Sequence, residues 1–202
     1  MSIVELIFFL MTKAQHIPKL LQLFRDYGYD GATLSKISKE VGLGKASLYH
    51  HFPGGKDEMV EAVLDYLESE TEDKILQPLS SNETVLARFE KMCDGIGNIF
   101  DGGKQPCIFA VLLMGSGRDV FHKKVEMLLR EWINAIALVL IAEGLDKNLA
   151  VERAENAVIM IEGALILSQG LNDLEPFERV IKQLPQQLSE DLSSSNSGVK
   201  CI

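Results

Sequence analysis

The feature that most restricts how this chain can fold is the spacing of its large apolar side chains. They recur at three- and four-residue intervals in set after set: Ile17, Leu20, Leu21 and Phe24; Leu34, Ile37 and Val41; Val60, Val63, Leu64 and Leu67; Val85, Phe89, Met92, Ile96 and Ile99; Val125, Leu128, Leu129, Trp132 and Ile136. Each set lines one face of a helix with 3.6 residues per turn. Further helices are expected over "CIFAVLLM", over residues 149–169 and over Phe177 to Leu188. No stretch keeps the two-residue alternation of a half-buried strand, so the expected fold is all-α.

A chain of 202 residues can bury a sizeable core, and 47% hydrophobic with 24% charged residues argues against wholesale disorder. The longest nearly apolar runs, "IVELIFFLM" and "AVIMIEGALIL", fall short of the roughly 20 residues that cross a bilayer. No membrane span is expected. The N-terminus carries no basic n-region or small-residue cleavage pattern, and Cys93, Cys107 and Cys201 form no disulfide framework, which fits a reducing cytoplasm. Residues 1–11 are apolar on every side and precede a second methionine, Met11; a packed extra turn and an extension without a role are equally open. The tail over residues 191–202 is polar and small, and is expected to be disordered.

Local punctuation organises the first third of the chain. The first helix starts or bends at Pro18 and is expected to stop at Gly28. "GYDGAT" supplies a turn, with Thr33 placed to cap a second helix, and Gly42 suits the left-handed position that ends it. The chain restarts as "KASLYHHF", with Leu48 and Phe52 on one face. Three short helices with a tight glycine turn before the third have the layout of a helix-turn-helix. A longer helix follows from Asp57 to about Glu72, with Asp57 and Glu58 where the helix dipole favours them, and "QPLSSNE" is expected to break it.

With Leu48 and Phe52 turned inward, the third helix presents Lys45, Ser47, Tyr49, His50 and His51 outward or to its edges. That surface forms hydrogen bonds almost everywhere, which suits a major groove wide enough for one helix. Gly44 would let the backbone come close to phosphate. The charge distribution agrees. The net charge is −9, yet residues 12–56 hold seven Lys/Arg against three Asp/Glu, while residues 61–202 hold thirteen against twenty-three. One end can meet a polyanion that the other repels.

"GATLSKISKEVGLGKASLYHHFPGGKDEM" resembles the DNA-binding signature of the TetR family of bacterial transcriptional regulators. The resemblance covers residues 13 to about 65 and rests on Thr33, Gly42, the run Ser47-Leu48-Tyr49 with His51 and Phe52, and Lys56, in order. It implies an all-helical homodimer that binds double-stranded operator DNA through its first domain, residues 1–60, and a small effector through a larger domain, residues 61–190, that also dimerises. By the same resemblance Thr33, Tyr49, His51 and Lys56 fall where phosphates are held, and Lys45, Ser47 and His50 where bases are read. "FPGGK" is one residue longer than the commonest family pattern, similar to the YxaF/LmrA-like branch, which bears on the reach of Lys56. Pro18 in the first helix is also unusual for the family.

Other chemistries fare worse. His50 and His51 are adjacent, about 100° apart on a helix, whereas a chelating pair needs i, i+3 or i+4 spacing. Neither a metal nor a cofactor is expected. There is no Ser, His and Asp constellation and no phosphate-cradling glycine loop, so no enzymatic activity is expected.

In the larger part, Phe89, Met92, Phe109, Met114, Trp132 and Met160 could line an effector cavity, although helical methionines and aromatics more often fill a core. Glu162, inside "VIMIEGALIL", must find a partner or reach water, and an effector in that cavity, a dimer seam and solvent all stay open for it. The last two long helices resemble the pair that builds the family's dimer, where Gly163, Ala164 and Gly170 would permit close approach. The functional expectation is therefore a ligand-responsive repressor released from a pseudo-palindromic operator. The alternative is a helical small-molecule binding protein without operator binding.

Overall fold

The computed structural model describes residues 13–190, all of whose regular structure is helical. The expectations for residues 1–11 and 191–202 lie outside the described residues. Among the described residues nine principal helices follow in order: α1 (Ile17–Gly31), α2 (Leu34–Val41), α3 (Lys45–His51), α4 (Gly55–Thr71), α5 (Val85–Ile99), α6 (Ile108–Leu113), α7 (Gly117–Ala142), α8 (Lys147–Leu171) and α9 (Glu175–Glu190). They group into two compact units. Among the described residues, one holds 13–68 together with Ile108–Val125; the other holds Ser69–Cys107 and 126–190.

The first unit is built much as its punctuation dictates. Pro18 occupies the first turn of α1, where its missing amide hydrogen has no partner to lose. Gly28, at φ 64°, breaks α1 and leaves one further turn to Gly31. The Thr33 hydroxyl accepts from the Lys36 amide at 3.3 Å and caps α2, which Gly42 ends at φ 77°. The core gathers Leu20, Phe24, Ile37, Leu48, Phe52, Met59, Val63 and Leu64. Ile108, Leu112 and Phe121 from the middle of the chain join it, and α6 packs on α1. A simple cut near residue 60 therefore misses a stretch of this unit. Nothing local in residues 108–125 marks where their apolar face is buried.

In the second unit the chain stays helical past Thr71 through a π-helical stretch, Glu72–Leu76, and a short turn, Gln77–Leu79. The expected break thus comes only after Leu79, because Pro78 stands in the first positions of a new turn and tolerates it. Helix α5, capped by Thr84, packs against the π-helical stretch and against α9, which also packs on α8. Gly95 seats the first contact: a Cβ there would fall on the Lys74 backbone, 2.8 Å from its carbonyl carbon. Phe100 and Phe177 meet edge to face at 6.2 Å between ring centres.

Candidate nucleic-acid interface

Helix α3 is two turns long, pinned by Leu48, only 1% exposed, with Phe52 buried just beyond its end. Gly44 is the extended residue before it, with open space around the position of a Cβ. Lys45, Ala46, Ser47, Tyr49 and His50 are exposed and His51 is half-buried. The structure therefore brings the expected outward residues of α3 together on one surface. Thr33 is exposed at the start of α2.

The flanks are held by ion pairs and ring contacts that sequence spacing does not reveal. Lys13 bonds Glu58 at 2.6 Å and lies 4.8 Å from the centre of the Phe52 ring. Glu58 also accepts from the Gly54 amide at 2.7 Å. Burial pushes the Glu58 carboxyl up, and these hydrogen bonds from Lys13 and Gly54 more than reverse it, leaving it below its usual range. Lys56 turns toward α1: its Nζ donates to the Tyr29 carbonyl at 2.8 Å and sits 4.0 Å over the Tyr29 ring. The Tyr29 hydroxyl in turn donates to Asp57, and burial followed by this carboxylate pushes its pKa up to about 12. One residue further, Asp30 accepts from the Ser116 amide at 2.9 Å and from its hydroxyl, which lowers the Asp30 pKa. The end of α1 thus ties the start of α4 to the corner before α7.

His16, just before α1, is buried with its ring 5.7 Å from that of His51, whose ring is 5.6 Å from that of His50. Burial, then the neighbouring His51 and Lys19, hold the His16 pKa below its ordinary value. Sequence reasoning missed this row of imidazoles because His16 is 35 residues from His51 and meets it only through tertiary packing. Among the described residues no group of three or more His, Cys, Asp or Glu is placed to hold a metal ion.

Residues 20–63 fit the family model described as bacterial regulatory proteins of the tetR family, and residues 86–183 fit that of the LmrA/YxaF-like transcriptional regulator C-terminal domain. The chain belongs to the TetR family, on its LmrA/YxaF-like branch. It is 26% identical over 168 residues to the HTH-type transcriptional regulator YxaF of Bacillus subtilis, covering 81% of this chain and 88% of that protein. Over 58 residues it is 43% identical to IcaR of Staphylococcus aureus, a negative transcriptional regulator of a biofilm operon, covering 27% of this chain and 31% of that one. A TetR regulator from Legionella pneumophila shares the fold with a TM-score of 0.75 at 19% identity, over 87% of this chain and 96% of that one. The protein is accordingly a DNA-binding transcriptional regulator, in a family of regulators rather than enzymes.

The remaining candidate residues of the regulator are dispersed. Phe89, Met92 and Trp132 are buried in the second unit, whereas Phe109 packs against the core of the first. Met114 is 83% exposed, and Met160 is exposed on α8. Among the described residues the buried Oε1 of Glu162 and Nε1 of Trp132 have no hydrogen-bond partner. Burial raises the Glu162 pKa, and a hydrogen bond with the Cys107 thiol partly offsets the rise. Ala164 is buried, while Gly163 and Gly170 have open space where a Cβ would stand. On α8 the side chains of Ile159, Ile166, Leu167 and Leu171 are exposed; Gly163 and Gly170 complete the same run at three- and four-residue steps. The exposed side chains of α9 are all polar, Glu178, Arg179, Lys182, Gln183, Gln186 and Gln187 among them.

Proposed function

We propose that the regulator is a homodimeric cytoplasmic repressor that binds a pseudo-palindromic operator and leaves it when a small molecule occupies the second unit. The observation that carries this reading is the outward surface of α3. It is exposed, almost entirely hydrogen-bonding, and fixed from behind by Leu48. A helix of seven residues covers too few base pairs for useful specificity, so two copies must enter successive major grooves about 34 to 36 Å apart. The exposed apolar run on α8 supports a seam between two copies, since water would otherwise cover Ile159, Ile166, Leu167 and Leu171. Gly163 and Gly170 leave room there for close approach.

The effector reading rests on Glu162 and Trp132. Each keeps a buried polar atom without a partner, at a cost of about 1 to 3 kcal/mol that a bound molecule with matching groups would remove. Binding there releases DNA only to the extent that the effector prefers a conformation with mismatched reading helices. A mobility-shift assay on DNA flanking the protein's own coding region, with scrambled duplex as competitor, tests operator binding. Equal retardation of both duplexes would reject the reading.

A further inference from the structure

Two residues flank the most outward point of α3, and the side chain of one of them, Ala46, forms no hydrogen bond. At 3.6 residues per turn, Lys45 and His51 stand about 60° from Leu48 around the helix, Ser47 and Tyr49 about 100°, and Ala46 and His50 about 160°. Leu48 marks the inward direction because it is buried and sealed in the core. Ala46 and His50, both exposed, therefore flank the pole that points away from the protein, with Ser47 and Tyr49 on the walls and Lys45 and His51 nearest the rims. A helix seated in a groove turns that pole to the base edges.

We propose that Ala46 is a specificity-determining residue that selects a thymine at one position of each operator half-site. This rests on the reading that α3 enters the major groove. Base edges there carry donors and acceptors, and the one methyl group among them is the thymine C5 methyl. An alanine methyl pressed against guanine, adenine or cytosine leaves a polar edge without water or partner, which disfavours those bases. Against thymine, two methyl groups meet and exclude water. His50, one turn along on the same side, reads the neighbouring base, so the selected thymine lies beside the position that depends on His50.

The test begins with duplexes selected from a random pool by the full-length protein. Each thymine of the enriched half-site is then replaced singly by deoxyuridine, which removes only the C5 methyl. One replacement should weaken binding about 3- to 5-fold, the value of one buried methyl. The variant Ala46→Gly should lose a similar factor on the parent operator and be indifferent to deoxyuridine at that one position. It should still respond to changes at the others. Ala46→Ser, which keeps the helix, should shift the base recovered there when the selection is repeated. Equal responses of the wild type and Ala46→Gly at every thymine, or an unchanged preference with Ala46→Ser, would overturn the assignment. A pool that shows no enrichment would overturn the DNA-binding reading as well.

Discussion

Two glycines of α5, two residues apart, should respond in opposite ways to the same substitution. At Gly95 a Cβ would stand 2.8 Å from the Lys74 carbonyl carbon and 3.0 Å from the Lys74 Cβ, where ordinary contact begins at 3.4 Å. The obstacle is backbone in the π-helical stretch, which cannot rotate aside, so Gly95→Ala must push α5 away. Overpacking of this kind costs up to about 3 kcal/mol. The higher helix propensity of alanine returns about 1 kcal/mol, leaving a net loss of about 2. At Gly97 nothing lies within 4 Å of the added Cβ. Gly97→Ala therefore keeps only the propensity gain, about 0.5 to 1 kcal/mol. Urea denaturation at one fixed protein concentration should separate the two midpoints by on the order of 1 M, with the parent between them. If both variants move the midpoint upward, the close seat of α5 on Lys74 is not present in solution.

Lys45→Ala should weaken operator binding by about 1 to 3 kcal/mol and scrambled DNA much less; equal losses on both would remove any base-reading role. Lys56→Ala should weaken all duplexes alike and flatten the salt slope by about one unit if Lys56 leaves Tyr29 for phosphate. An unchanged slope would keep that lysine on Tyr29. Ile166→Asp, which places a charge in the exposed apolar run of α8, should convert a dimer to monomer by light scattering at micromolar concentration; a monomeric parent would refute the seam. The depressed pKa of His16 makes stability depend on pH. Its neutral form in the fold confers stability fully present above about pH 6.5 and lost as pH falls below that value, because the unfolded chain takes up the proton first. Urea midpoints at pH 5.5 and 7.5 should differ less in His16→Gln than in the parent.

What could be read from the sequence is what local chemistry decides. Thr33 and Gly42 terminate α2 through their own hydroxyl and backbone freedom, and Leu48 declares the inner face of α3 by its spacing from Phe52. The π-helical stretch had no such signature, since the residue that accommodates it, Gly95, comes from another helix. Lys56 reads as a free basic group until Tyr29 is beside it, and His16 as a solitary imidazole until His51 is. Ala46 carries no polar group, so nothing in its own chemistry marks its exposed place on α3.

The borrowing of residues 108–125 by the first unit also governs when that unit can exist during synthesis. Ile108, Leu112 and Phe121 complete the core around Phe24 and Leu20. A nascent chain ending at Glu68 would leave that side of α1 facing water, and the reading head can close only after more than half of the 202 residues have left the ribosome. A head cut out as one contiguous piece is missing part of its own interior, so any transplant of its DNA specificity onto another scaffold must carry the α6–α7 corner with it.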